Sequence, residues 1–242
     1  VDWYLDVLRK YKDKLLDITR YVVADAWFSK AKFVGEACLL GFHVISRMRD
    51  DAALWYSHEG VRTGKRGRPR IKGEKIDFKK LDLQRCEVLD IEGGRAYSVK
   101  AYSKAMKRNI KVVVHYAESG GHKIYFSTDL EMSAKDIIEY YRTRFQIEFC
   151  FRDSKQFTGL KDCQARDLKK LDFAFNASLA SVNIAKVMRQ LYYPSRSIGL
   201  LKAYLSNTYM LKRIFCKSGM KPNSTFNAKL IKELFGIVAE AA

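Results

Sequence analysis

Tyr140-Tyr141-Arg142-Thr143-Arg144-Phe145-Gln146-Ile147-Glu148-Phe149-Cys150-Phe151-Arg152-Asp153-Ser154-Lys155-Gln156 sets a phenol, a guanidinium, a carboxylate and an ammonium at helical intervals. At about 100° per residue, Tyr141, Arg144, Glu148 and Lys155 fall at roughly 0°, −60°, −20° and −40°. They share one stripe about 60° wide. Ile138, Phe145 and Phe149 fall beside it, at roughly +40° to +80°, as an apolar stripe that needs burial. The stretch therefore reads as an active-site helix lying on a core. The plainer reading is a helix whose Glu148 pairs with Arg144 at i,i+4 and whose charges are solvated.

Working outward, a cap at Ser133 or Thr128 predicts one long helix from about Ala134 to Gln156, closed by Gly159. A second helix, about Leu168 to Leu191, is apolar enough to pack against it and ends before Pro194. Upstream, residues from about Asp2 to Ile18 carry Leu5, Leu8, Leu15 and Ile18 in an amphipathic helix. Tyr21–Phe28 reads as a buried strand bearing Asp25. Ser29 caps the next helix, which stops at Gly41, and Phe42–Arg47 is a second strand. Helix, strand, helix, strand is the rhythm of an α/β layer.

From about Asp50 to Ser127 the text turns strand-like and basic. Arg62, Lys65, Arg66, Arg68, Arg70, Lys72, Lys75, Lys79 and Lys80 crowd one expected loop, offset only by Glu74 and Asp77. Strands follow over Cys86–Glu92, Ala96–Ser103, Ile110–Ala117 and His122–Ser127, with Gly93-Gly94 and Gly120-Gly121 as turns. This predicts a small antiparallel sheet inserted between the second strand and the Glu148 helix. The expected domains are 1–49, 50–128, 129–195 and a helical tail over 196–242.

The chain of 242 residues is 48% hydrophobic and 13% aromatic, enough for a sizeable core, and carries a formal net charge of +18. So basic a balance points to a polyanion, nucleic acid or an acidic membrane surface. The longest uncharged run, between Asp172 and Lys186, is shorter than the roughly 20 apolar residues of a membrane span. Cys38, Cys86, Cys150, Cys163 and Cys216 are odd in number and widely spaced, which fits reduced thiols and a cytoplasmic location. His43, His58, His115 and His122 show no metal-ligand spacing.

Asp25 at a strand end and Glu148 on the helix are the acids placed for chemistry. Convergent carboxylates can hold two divalent ions about 3.5–4 Å apart for phosphoryl transfer, and hard oxygen ligands select Mg²⁺ or Mn²⁺. Arg144 and Lys155 would reach flanking phosphates. Tyr141 could stack on a base or bond a phosphate.

The spacing Tyr141-x2-Arg144-x3-Glu148-x6-Lys155 resembles the Tyr–Arg–Glu–Lys helix of DDE-type bacterial insertion-sequence transposases of the fourth insertion-sequence family. The Val22–Phe28 stretch looks like their strand bearing the second catalytic Asp, and the β-rich insertion is similar too. The resemblance extends to about Asp167. It implies an α/β fold: a ribonuclease H-like core, an inserted antiparallel β subdomain and C-terminal helices. It also implies a Mg²⁺- or Mn²⁺-dependent site that cuts double-stranded transposon ends and joins them to target DNA, with a homodimer on paired ends. Asp25 and Glu148 become catalytic metal ligands by that resemblance; Tyr141, Arg144 and Lys155 become DNA contacts.

One departure is large. A first Asp-bearing strand and two more strands should precede the Asp25 strand, and two strands of ordinary length need roughly ten to twelve residues plus turns. Val1 to Arg20 already read as a helix, with Asp2 and Asp6 on its solvated side. The expectation is an N-terminally truncated fragment, with the first strands missing, that does not cut DNA alone. The other function class is a non-catalytic DNA-binding remnant or regulator of transposition. A membrane-surface or RNA-binding role has no motif behind it. Finally, Lys65-Arg66-Gly67-Arg68-Pro69-Arg70 resembles an AT-hook, whose arginines line a narrow minor groove; it reads equally as a basic loop touching phosphates without preference.

Overall fold

A computed structural model describes residues 1–58 and 72–221. Arg66, Arg68 and Arg70, and with them the AT-hook reading, lie outside the described residues. The chain divides into two compact units, Val1–Phe145 and Gln146–Ala242.

The first unit opens with α1 (Asp2–Lys10) and α2 (Lys12–Leu16), two helices where the apolar period predicts one. Leu5 is fully buried, whereas Ile18 lies beyond α2 and is 80% exposed. Asp2 pairs with Lys32 and Asp6 with Arg9. The chain then forms β1 (Tyr21–Val23), α3 (Ala31–Leu39) and β2 (His43–Met48), and β1 and β2 pair in parallel with Val22 opposite Val44. Ser29 does not cap α3. Lys30 holds that position, and the Ser29 hydroxyl instead lies 2.6 Å from the Ala26 carbonyl and 2.7 Å from the Arg47 carbonyl. These nearer acceptors close the turn before the helix begins.

Six more strands follow: β3 (Leu54–Ser57), β4 (Lys72–Lys75), β5 (Glu87–Ile91), β6 (Gly94–Ser103), β7 (Arg108–Ala117) and β8 (His122–Ser127). They do not make a separate small sheet. β8 pairs antiparallel with β2, Ile45 opposite Ser127, so one eight-stranded sheet runs β1-β2-β8-β7-β6-β3-β4, with β5 also on β6. Turn residues mark where strands end, but not which edge a strand will seek. The Gly93-Gly94 turn is sterically required. Gly94 has φ of 152°, and a Cβ there would sit 2.0 Å from the Tyr116 carbonyl oxygen.

Alternation along the strands gives each face its own core. On one face Val44, Val99, Ala101, Val112, Val114 and Phe126 pack with Leu5, Phe33, Val34 and Ala37 from the N-terminal helices. On the other, Ile45, Ala96, Val113 and Tyr125 receive Ile137, Ile138 and Tyr141 from α4 (Ala134–Thr143). Each fully buried aliphatic side chain contributes about 1.5–3 kcal/mol. Ser133 caps α4, its hydroxyl accepting from the Asp136 amide at 3.0 Å. The unit is thus a mixed α/β fold with mostly antiparallel strands.

The single helix expected over 134–156 is two helices. At Arg144 the backbone amide donates to Tyr141 O at 3.1 Å, a tighter three-residue turn, and α5 (Phe145–Phe157) begins after it. The apolar stripe is split with it. Ile138 is buried, but Phe145 is 48% and Phe149 40% exposed. The core cluster that α4 joins runs out at Tyr141.

In the second unit α5 is followed by α6 (Leu168–Tyr192) and α7 (Ile198–Lys217). Gly159, at φ of 74°, turns the chain after α5. Thr158 Oγ1 lies 3.0 Å from the Ser178 carbonyl of α6. Asp167 and Ser197 cap α6 and α7.

Candidate active site

Asp25 stands two residues past β1, where Tyr21–Phe28 predicted one continuous strand. It precedes a single helical turn, Ala26–Phe28. Its backbone is pinned. The Ala24 amide extends the parallel pairing to Ile45 O, and the buried Ser46 hydroxyl donates to the Asp25 carbonyl at 3.0 Å. The carboxylate itself is left 56% exposed. Strand pairing therefore fixes where Asp25 stands, and nothing in that pairing consumes its charge.

Two side chains of the predicted stripe meet it. The Tyr141 hydroxyl donates to Asp25 Oδ1 at 3.4 Å, a long bond, and the Arg144 guanidinium lies 3.9 Å from the same oxygen. The Tyr141 ring packs on Tyr125 of β8, with centroids 5.1 Å apart. Burial is the main cause raising the Tyr141 pKa, and the Asp25 charge adds to it; Arg144 and Arg47 oppose. The phenol therefore stays protonated and can donate at neutral pH. Glu148 and Lys155 lie on α5, in the other unit, in its first and last turns, where their charges complement the helix dipole.

Sequence reasoning missed the supporting side chains. Arg47 acts electrostatically on both Tyr125 and Tyr141, and so favours the ionised form of the phenol that meets Asp25. Trp27, half-exposed on the turn after Asp25, carries the Lys30 ammonium 3.8 Å from its ring centroid. A signal existed for Arg47: it stands two residues after Ile45 on the second strand and so shares its face. Its partner Tyr125 comes from the non-local β2–β8 pairing, which spacing cannot show.

One carboxylate amid arginine and tyrosine donors suits an anionic backbone. Its oxygen is also the right donor type for a hard divalent ion. The number of donors is not sufficient: among the described residues no three His, Cys, Asp or Glu side chains converge in a group that could hold a metal.

The sequence profile of the transposase DDE domain matches residues 4–184, more than half of the chain. The chain belongs to that family. No curated protein matches it. The match spans both Asp25 and Glu148 and the whole eight-stranded sheet. Membership in the transposase DDE domain family gives the chain a role in DNA transposition, DNA as its partner and a suggested nuclease or transferase activity. The family generally uses divalent metals. Among the described residues no helix is long and apolar enough to cross a membrane.

Proposed function

We propose that this chain is the DNA-processing part of an insertion-sequence transposase that cuts transposon ends and transfers the strand to target DNA. The observation carrying the reading is the meeting of Tyr141 and Arg144 at Asp25, within the span matched by the family profile. The parallel β1–β2 pair joined through α3, with α4 on the sheet, supports reading residues 1–49 and 129–195 as parts of a ribonuclease H-like core. Residues 50–128 are then its insertion and 196–242 its helical tail.

In this reading Asp25 and Glu148 contribute carboxylates to a Mg²⁺ or Mn²⁺ site that requires a further ligand. Arg144 and Lys155 hold phosphates on either side of the reacting bond. Tyr141 orients Asp25 and contacts the DNA end. Arg66, Arg68 and Arg70 add backbone or minor-groove contacts, and a homodimer brings paired ends together in the cytoplasm.

The test replaces Glu148 by Gln in the full native reading frame, including any sequence encoded upstream of Val1. Cleavage of the element's own ends should be abolished while end binding stays within about twofold, since one neutralised acid leaves the cationic contacts intact. A Glu148→Gln protein that still cleaves would sink the assignment.

A second reading has its own support in the formal net charge of +18, which favours holding a polyanion whether or not it is cut. It is a DNA-binding remnant or regulator that occupies ends without cutting them. Salt-sensitive binding by the 242-residue chain, with no nicking at any Mg²⁺ or Mn²⁺ concentration, is its expected behaviour. Nicking by that chain rules it out.

A further inference from the structure

Far from Asp25 in the strand order, the β6-β3-β4 end of the sheet displays aromatic and basic side chains on one face. Trp55 of β3 lies directly opposite Tyr102 of β6, and Ser57 lies opposite Lys72 of β4. The Lys72 ammonium sits over both rings, 5.0 Å from the Trp55 centroid and 5.5 Å from that of Tyr102. Two residues along β6, Lys100 shares this face and is paired in register with Lys111 of β7.

The cations here differ in one respect. Lys100 is bonded to Glu131 at 2.8 Å, Lys111 to Glu87 at 2.8 Å, and Arg85 to Asp82 at 3.2 Å. Lys72 makes no ion pair among the described residues; aromatic rings are what hold it. A ring quadrupole attracts a cation without neutralising it. The ammonium is held in place with its full charge still available. An acid partner would have compensated that charge, and a free lysine would lose rotamer entropy on binding. This is the arrangement expected of a preorganised phosphate contact. Beside it a cavity of about 310 Å³ is lined by Arg85, Lys100 and Lys111 together with Glu87, so its charge is largely compensated.

We propose that this end of the sheet is a second DNA-docking surface, on which Lys72, held by Trp55 and Tyr102, contacts a backbone phosphate of duplex DNA. It rests on the reading that the chain acts on DNA, and it adds a surface outside the Asp25 site. Its role is to position the duplex without reading its sequence.

The test is fluorescence anisotropy of a labelled duplex of mixed sequence with the 242-residue chain across a salt series. Lys72→Ala should weaken binding equally on different sequences and reduce the salt slope by about one. Lys72→Arg should retain both affinity and slope. Trp55→Leu, with the lysine kept, should weaken binding roughly two- to fivefold at unchanged slope. Should Trp55→Leu alter the thermal melt, Tyr102→Leu gives the same reading. Wild-type binding with an unchanged slope and affinity in Lys72→Ala overturns the surface and leaves the transposase reading standing. A loss confined to single-stranded DNA also overturns it. A wild-type chain that binds no DNA at any salt overturns the DNA reading itself.

Discussion

α4 and α5 follow one another in sequence with a single residue between them, and both are rich in aromatic and aliphatic side chains. They are used in opposite ways. α4 buries Ile137, Ile138 and Tyr141 in the core formed with one face of the sheet, and so carries Tyr141 and Arg144 to Asp25. α5 leaves Phe145, Ile147, Phe149 and Phe151 exposed along with Glu148. The change comes at Arg144, where one three-residue turn interrupts the four-residue ladder. A motif that looks uniform in sequence is therefore part scaffold and part exposed chemistry. Substitutions in its first half should act on stability, and those in its second half on function.

The largest test of that contrast is a matched pair. Ile137→Ala, at a fully buried position, should cost about 2–5 kcal/mol in urea unfolding followed by circular dichroism. Phe149→Ala, though it deletes a larger side chain, should stay within about 0.5 kcal/mol as a surface change. Equal losses would mean that the two helices are not used differently.

A smaller effect asks what holds the α4 tip to Asp25. Packing of the Tyr141 ring on Tyr125 should dominate over its long hydroxyl contact. Tyr141→Phe should therefore cost less than about 1 kcal/mol in the same unfolding measurement. A larger loss would show that the hydroxyl, not the ring, fixes the tip.

The smallest effect is in pH. His115 of β7 has a buried Nε2 with no hydrogen-bond partner among the described residues. Burial, with Lys123 of β8 and Arg142 of α4 nearby, depresses its pKa below the usual 6.5, partly offset by a hydrogen bond with the Gly93 backbone. A histidine whose folded pKa is depressed binds its proton more readily when unfolded. Its contribution is intact above about pH 6.5 and declines as pH falls from there towards the lower folded value. Melting temperatures between pH 7.5 and 5 should fall less in His115→Gln than in the wild type. An identical decline would remove His115 as the cause.

The limits of the sequence reading follow the same division between local and non-local structure. β2, the Ser133 cap, the Gly93-Gly94 turn and α6 were legible because hydrophobic period, capping hydroxyls and glycine act over a few residues. Asp25 was recognisable as a carboxylate at a strand end, though the strand itself stops at Val23. The turn at Arg144 was not legible, since no glycine or proline marks it. The joining of β8 to β2 was hidden for a different reason. Edge choice is settled by which faces need covering, and residues some eighty positions apart decide it. The Lys72 platform rests on other pairings, because Trp55, Lys72 and Tyr102 gain meaning only once β3, β4 and β6 lie side by side.

That pairing of β2 with β8 has a consequence for how the family can vary. Met48 lies opposite Ile124, so the chain leaves the first strands and returns to them at adjacent positions. Everything between is an excursion with its ends clamped together. Closing a longer loop costs little more than closing a shorter one, only about 0.6 kcal/mol for each doubling. Segments can be added to or removed from the far strands while Asp25 and the helix that answers it keep their places, which makes the outer sheet the part of the molecule free to change its DNA contacts.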